Sequence, residues 1–334
     1  MIKSEAKKWK DIHIIDMHHH TIPPFYRSAL EKSGVKIAAG LAIPEWSPEI
    51  AIKVLNKNKI SLAMTSILPG VYFPNSPDIV RKCNEYAAEL KNRFPTRFGA
   101  FASLPMLDSE KALNELDFVL DELQLDGVAL VSNFDGKYLG DQQFEEVIAE
   151  LNRRKITVFV HPSEPLDPDI PEEFCWAIDS ALDTTRAVMS LLYSGYLERY
   201  SNVNFILSHV GGIVPYLAKR IALGQLEESN KMKFDLGMFD YLPNFQKVNN
   251  GIELLKKLYY DTLAPARNAA YKTVLDLVDH THLVLATDYV WLPKNFLPLK
   301  IAEVKRYFDN ESLRAIFQDN PLRLFPHLRE VLGV

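Results

Sequence analysis

The chain has 334 residues, 47% hydrophobic and 24% charged, a globular composition long enough for one large α/β barrel or two average domains. Its net charge of −5 offers no basic face, so no nucleic-acid partner is expected, and no apolar run approaches the roughly 20 residues of a membrane span. Cys83 and Cys175 lie far apart and outside any metal-binding spacing, and the lysine-rich first ten residues lack an apolar core, which together point to a reducing cytoplasm, no disulfide framework and no membrane.

Apolar, β-branched runs alternate with helical patterns almost from end to end. The expected strands are 13–17, 62–68, 98–103, 127–131, 157–161, 204–208, 257–260 and 283–287. Amphipathic stretches at helical spacing cover 48–58, 78–94, 109–123, 142–154, 179–200, 212–226 and 266–279. Eight such alternations predict an α/β fold, a (β/α)8 TIM barrel with long loops at the C-terminal face, as one domain over 1–334. No Gly-rich phosphate loop follows the first strand, which argues against a dinucleotide-binding sheet. Three long connections, 21–47, 163–178 and 227–251, interrupt the pattern. The first two follow strands, where barrel chemistry is placed. The tail, 311–334, reads as helix and capping segment.

The first strand runs into His18-His19-His20. Strand residues two apart share a side, so His18 and His20 are expected to aim at one point, with Asp16 behind them on the same face and His19 opposite. Three later strands also end on ligand types, at His161, His209 and Asp288. On a barrel all five sit at the C-terminal face, with the eighth strand beside the first. Three imidazoles and one carboxylate suit Zn²⁺ with an open position for water or substrate; Mn²⁺, Fe²⁺ and Co²⁺ accept the same donors. Any one of these residues alone has an ordinary structural role, as a packed histidine or a helix-capping aspartate. Their shared placement is what carries the reading. His13, His280, His282 and His327 lack it and read as structural.

The runs 16–24, 160–162, 207–212 and 286–289 resemble the amidohydrolase-2 branch of the metal-dependent amidohydrolase superfamily, which holds aminocarboxymuconate-semialdehyde decarboxylase and related aromatic-acid decarboxylases. Glu45-Trp46-Ser47-Pro48, Asp183-Thr184-Thr185-Arg186 and Asn320-Pro321-Leu322-Arg323 also look familial. The resemblance implies His18, His20, His161 and Asp288 as ligands of one divalent ion, and His209 as catalytic base, with Asp288 also moving a proton. It implies that Arg220 binds the substrate carboxylate of a neighbouring subunit, hence a homodimer. The family's second substrate arginine has no counterpart here, since Arg27 is wrongly spaced. Val131-Ser132-Asn133 replaces the superfamily's bridging lysine, which favours one metal over two.

The expected activity is non-oxidative decarboxylation of a small aromatic or muconate-type carboxylic acid, with metal-bound water and His209. Hydrolysis of an ester, lactone or amide by the same site is the alternative, and a non-catalytic metal-binding scaffold is a third. Aromatics of the long loops, Phe25, Tyr26, Trp46, Phe174, Trp176 and Trp291, are expected to line the pocket; Trp46 and Trp176 are the substrate-binding candidates.

Overall fold

Eight short strands run parallel and hydrogen-bond in chain order: β1 (Ile14–His20), β2 (Ile60–Ser66), β3 (Phe98–Ala102), β4 (Gly127–Val131), β5 (Thr157–His161), β6 (Asn204–Leu207), β7 (Tyr259–Asp261) and β8 (Leu283–Val284). The structure is a computed structural model that describes residues 12–35, 37–38, 41–163, 174–229, 241–263 and 268–334. Beyond β8 the chain returns to β1. Met17 N donates to Leu285 O at 2.8 Å, Asp288 N donates to His18 O at 2.9 Å, and His19 pairs with Tyr289 in a parallel bridge. These bonds bring the sheet to a nearly closed barrel, as predicted.

Helices cover the outside. The helix Pro48–Asn58 shows why they form where they do. Ser47 Oγ accepts from Ile50 N at 3.3 Å, Pro48 supplies a preset first turn, and Lys59 ends the helix in the left-handed region. Ala51, Val54, Leu55 and Asn58 form its buried stripe. Other expected helices are subdivided. The stretch 179–200 contains Ser180–Tyr193 and Tyr196–Arg199, separated at Gly195, whose φ of 77° is left-handed. The connection 21–47 is not all loop: Pro24 opens the helix Pro24–Lys32, because a proline suits the first helical position as well as it suits a turn. Part of the connection 227–251 is helical as well, within Tyr241–Lys256, while 164–173 and 230–240 lie outside the described residues.

Two apolar clusters result. The larger lies between strands and helices. The smaller fills the lumen with Ile15, Met17, Leu62, Met64, Phe101, Phe159, Ile206 and Val284. Leu322, Leu324, Phe325 and Leu328 of the tail join the lumen cluster, with Phe325 edge-on to Phe101. Arg323 donates to Thr281 O just before β8 and to Tyr259 Oη at the start of β7, so the tail closes the N-terminal mouth. Asp126, just ahead of β4, meets His327 at 2.7 Å and Lys91 at 2.6 Å there. The capping role expected of 311–334 is thus a plug.

Candidate metal centre and active site

β1 reaches His20, three residues past its expected end, and it contains an extra residue. Asp16 pairs with Ala63 and His19 with Thr65, so three steps on β1 match two on β2. This bulge corrects the expected alternation. Ile15 and Met17 face the lumen, and so does His18, whose ring lies 4.8 Å from that of Phe159. Asp16 falls on the other side, with His19, rather than behind His18 and His20. Its carboxylate accepts from His19 Nδ1 at 2.9 Å, Thr287 Oγ1 at 2.6 Å and Thr287 N at 3.1 Å. Asp16 therefore ties β1 to the segment that carries Asp288.

Three imidazoles are anchored through Nδ1. His18 Nδ1 donates to Asp261 Oδ2 at 2.7 Å, and His161 Nδ1 donates to Pro162 O at 2.9 Å, since a carboxylate and a carbonyl only accept. His20 Nδ1 meets Ser66 Oγ at 3.0 Å. Each ring is left with Nε2 facing the centre. His18 Nε2 and His20 Nε2 are 2.9 Å apart, and Asp288 Oδ1 is 3.3 and 3.1 Å from them. Ligand atoms of His18, His20, His161 and Asp288 all lie within 4.8 Å of one another. Tetrahedral ligands at bond lengths near 2.0–2.1 Å stand about 3.4 Å apart, so the donor set fits one divalent ion. It is the one such group found among the described residues.

Electrostatics agree with that fit. Burial works against charge on His18, but Asp288 and the bond to Asp261 outweigh it and push this imidazole up to about 10. Burial pushes His20 down to about 4. Burial and the neighbouring imidazoles hold His161 well below its ordinary value. Burial opposes charge on Asp288 too, yet His18 beside it keeps the carboxyl well below the usual carboxylate range. The cluster thus concentrates one positive charge at its centre, where a cation would take the place of the proton and leave every imidazole a neutral donor.

His209 belongs to a different local structure. β6 stops at Leu207, and His209 and Val210 follow with φ of 55° and 57°. A β-branched residue rarely adopts this conformation, which costs about 1–3 kcal/mol. Gly211 completes the turn because a side chain there would meet the Tyr260 ring at 2.6 Å. The turn leaves His209 Nε2 3.9 Å from Asp288 Oδ2, and its Nδ1 has no hydrogen-bond partner. Unlike the three anchored rings, this imidazole has no hydrogen bond at Nδ1 to hold it in place.

One site residue escaped the sequence. Asp261 is fully buried at the end of β7, and its Oδ1 accepts from Val210 N and Leu263 N, both at 3.0 Å. The expected strand stopped one residue short, at 260; carried on, Tyr259-Tyr260-Asp261 shows the same strand-end signal as Asp288. Asp183, noted only for resemblance, is also buried. It accepts from Asn133 Nδ2 at 3.0 Å, Tyr138 Oη at 2.9 Å and Ser163 N at 2.8 Å, and from Ser132 Oγ. It thereby fixes the chain after His161 to the end of β4, where no lysine stands.

The substrate-binding candidates are placed less centrally. Arg220 is exposed on the helix Val214–Ser229. Trp46 and Tyr26 are buried in the outer cluster, Trp46 edge-on to Tyr86. Trp291 is half-buried against that cluster and Phe174 is exposed, while the Trp176 side chain lies outside the described residues.

The chain is 31% identical over 334 residues to the 6-methylsalicylic acid decarboxylase acuB of Aspergillus aculeatus, covering 94% of this chain and 96% of that protein. It is 29% identical over 339 residues to the 6-methylsalicylic acid decarboxylase of Penicillium expansum, with coverage of 95% and 98%. A solved dihydroxybenzoic acid decarboxylase from Polaromonas sp. JS666, with bound manganese and the inhibitor 2-nitroresorcinol, superposes with a TM-score of 0.75. That match covers 97% of this chain and 100% of the other at 19% identity, a likeness of fold. Residues 15–327 match the amidohydrolase family, from the second residue of β1 into the tail that plugs the barrel, and the chain belongs to that family.

Proposed function

We propose that this protein is a metal-dependent, non-oxidative decarboxylase of a small aromatic carboxylic acid, of the hydroxybenzoate class, built as one barrel domain over 1–334. The observation that carries the reading is the convergence of three Nδ1-anchored imidazoles and Asp288 beside the unanchored His209. The named relatives, which act on a methylsalicylic acid, support the substrate class.

In this reading His18, His20, His161 and Asp288 hold one divalent ion, Zn²⁺ by donor type, with Mn²⁺, Fe²⁺ and Co²⁺ as the other candidates. When bound, the ion supplies positive charge that draws the substrate's oxygens and stabilises the negative charge developing there. His209 as base takes a proton from water and, as the imidazolium, passes it from Nε2 by way of Asp288 Oδ2 to the ring carbon that bears the carboxylate, returning to the neutral ring. A C–H bond forms at that carbon. The C–C bond to the carboxylate then breaks, its electron pair restores the aromatic ring, and CO2 leaves. The proton of the donor ends on the product.

Arg220 is proposed to meet the substrate carboxylate in the partner's site of a homodimer. Its neighbours on the same helix face, Tyr216 and Leu223, are exposed apolar side chains that suit such a contact. Trp176 is proposed for the apolar wall, and Trp46, edge-on to Tyr86 in the outer cluster, for the packing that supports it. No helix among the described residues is long and apolar enough to cross a membrane, in keeping with a cytoplasmic enzyme.

The test is elemental analysis followed by a substrate panel. Purified protein is expected to carry about one equivalent of divalent metal and to release CO2 from a hydroxybenzoate in step with phenol formation. Acid release from aryl lactones without CO2 would move the assignment to hydrolysis, and arginine replacement, Arg220→Ala, is expected to raise KM and weaken the dimer in light scattering.

A further inference from the structure

We propose that Asp261 is a positioning residue that fixes the metal ligand His18 and the turn bearing His209 to each other, so that ligand and base are set by one carboxylate. The proposal rests on the metal-centre reading above. Asp261 receives three hydrogen bonds, and they divide by oxygen. Oδ2 takes His18 Nδ1–H at 2.7 Å, and Oδ1 takes Val210 N–H and Leu263 N–H at 3.0 Å each. The first bond sets the His18 tautomer and points Nε2 at the centre. The second holds the residue next to His209 in its left-handed conformation, on a strand that lies beside β6. His18 and His209 come from β1 and β6, which do not pair, yet their rings are 5.5 Å apart. Asp261, on β7, bonds to both segments.

The division by oxygen makes the two roles separable. In Asp261→Asn the two backbone donors demand the amide oxygen on their side. The amide NH2 then faces His18 Nδ1, which has to accept, and the ring hydrogen moves to Nε2, the atom aimed at the metal. Asp261→Ala removes both bonds. Chelator competition with Zn²⁺ and Mn²⁺ should therefore show metal affinity lowered about 10–100-fold in Asp261→Asn. At saturating metal Asp261→Ala should lose more kcat than Asp261→Asn, because only in the alanine variant is the His209 turn released.

Wild-type metal affinity in Asp261→Asn would overturn the proposal, and so would equal kcat of the two variants at saturating metal. A wild type that takes up neither metal would overturn the metal-centre reading together with this one. Should the variants fail to fold, ¹⁵N-histidine spectra of metal-loaded wild type decide the matter. His18 protonated at Nδ1 is the expected result, and His18 protonated at Nε2 overturns it.

Discussion

At the C-terminal ends of the strands, His18, His20, His161, Asp261 and Asp288 crowd buried polar atoms around one point. At the N-terminal ends, Leu322, Leu324, Phe325 and Leu328 fill the same lumen with hydrocarbon. Both mouths belong to one barrel and differ in what holds them. The polar mouth depends on matched donors and acceptors, and removing one partner leaves a buried group with none. The apolar mouth depends on area withdrawn from water and on close packing. The difference suggests a division of labour in which the tail supplies stability that the polar mouth consumes, as is common for barrels whose chemistry sits at the C-terminal face.

Substitutions at each end test that division. The largest effect is expected from His161→Ala, which should reduce bound metal well below one equivalent and take turnover to background, while destabilising the metal-free fold less than loss of the plug does. Elemental analysis and denaturant unfolding check both halves. His209→Asn should follow, lowering kcat about 10²–10⁴-fold with metal content unchanged, as expected for a proton-transferring group that is not a ligand. Phe325→Ala should cost about 3–5 kcal/mol of unfolding free energy and leave metal content and kcat intact. A parallel fall in kcat would erase the separation between the mouths.

The smallest expected effect involves Asp126, whose carboxylate is buried at the apolar mouth. Burial favours a raised value for Asp126, but the bond to His327, the Lys91 charge and the Ala100 N–H outweigh it and hold the carboxyl below its usual value. A depressed folded value stabilises the fold above the unfolded value near 4, and that stabilisation is lost as pH falls through the folded value. Asp126→Asn should therefore lose about 1.5–3 kcal/mol at pH 7, with its stability converging on wild type in acid. Urea unfolding at pH 7 and below pH 4 measures it.

The ligand set was legible because each member lies near or past the C-terminal end of a strand, and these ends converge at one face of a barrel whatever the loops do. Asp261 obeys the same rule and was passed over because β7 is three residues long and Tyr260 looked like its end. The bulge in β1 was illegible for a deeper reason: a period of two has no term for an extra residue, and only pairing with β2 reveals it. The plug residues looked like the face of a helix, since nothing local in Leu322, Leu324 and Phe325 says that a lumen awaits them. The pocket wall was the least legible part. Aromatics in loops pack wherever area can be buried, and Tyr26 and Trp46 are held in the outer core.

The bulge and the extra residue of β1 also form a matched pair. Deleting Met17 would restore the ordinary pleat and still leave His18 and His20 facing the lumen, with Asp16 and His19 opposite, whereas losing the bulge with Met17 kept would turn both ligands away. A substitution that straightens β1 is accordingly expected to cost the metal site more than removal of Met17 does, and metal uptake by the Met17 deletion measures the difference.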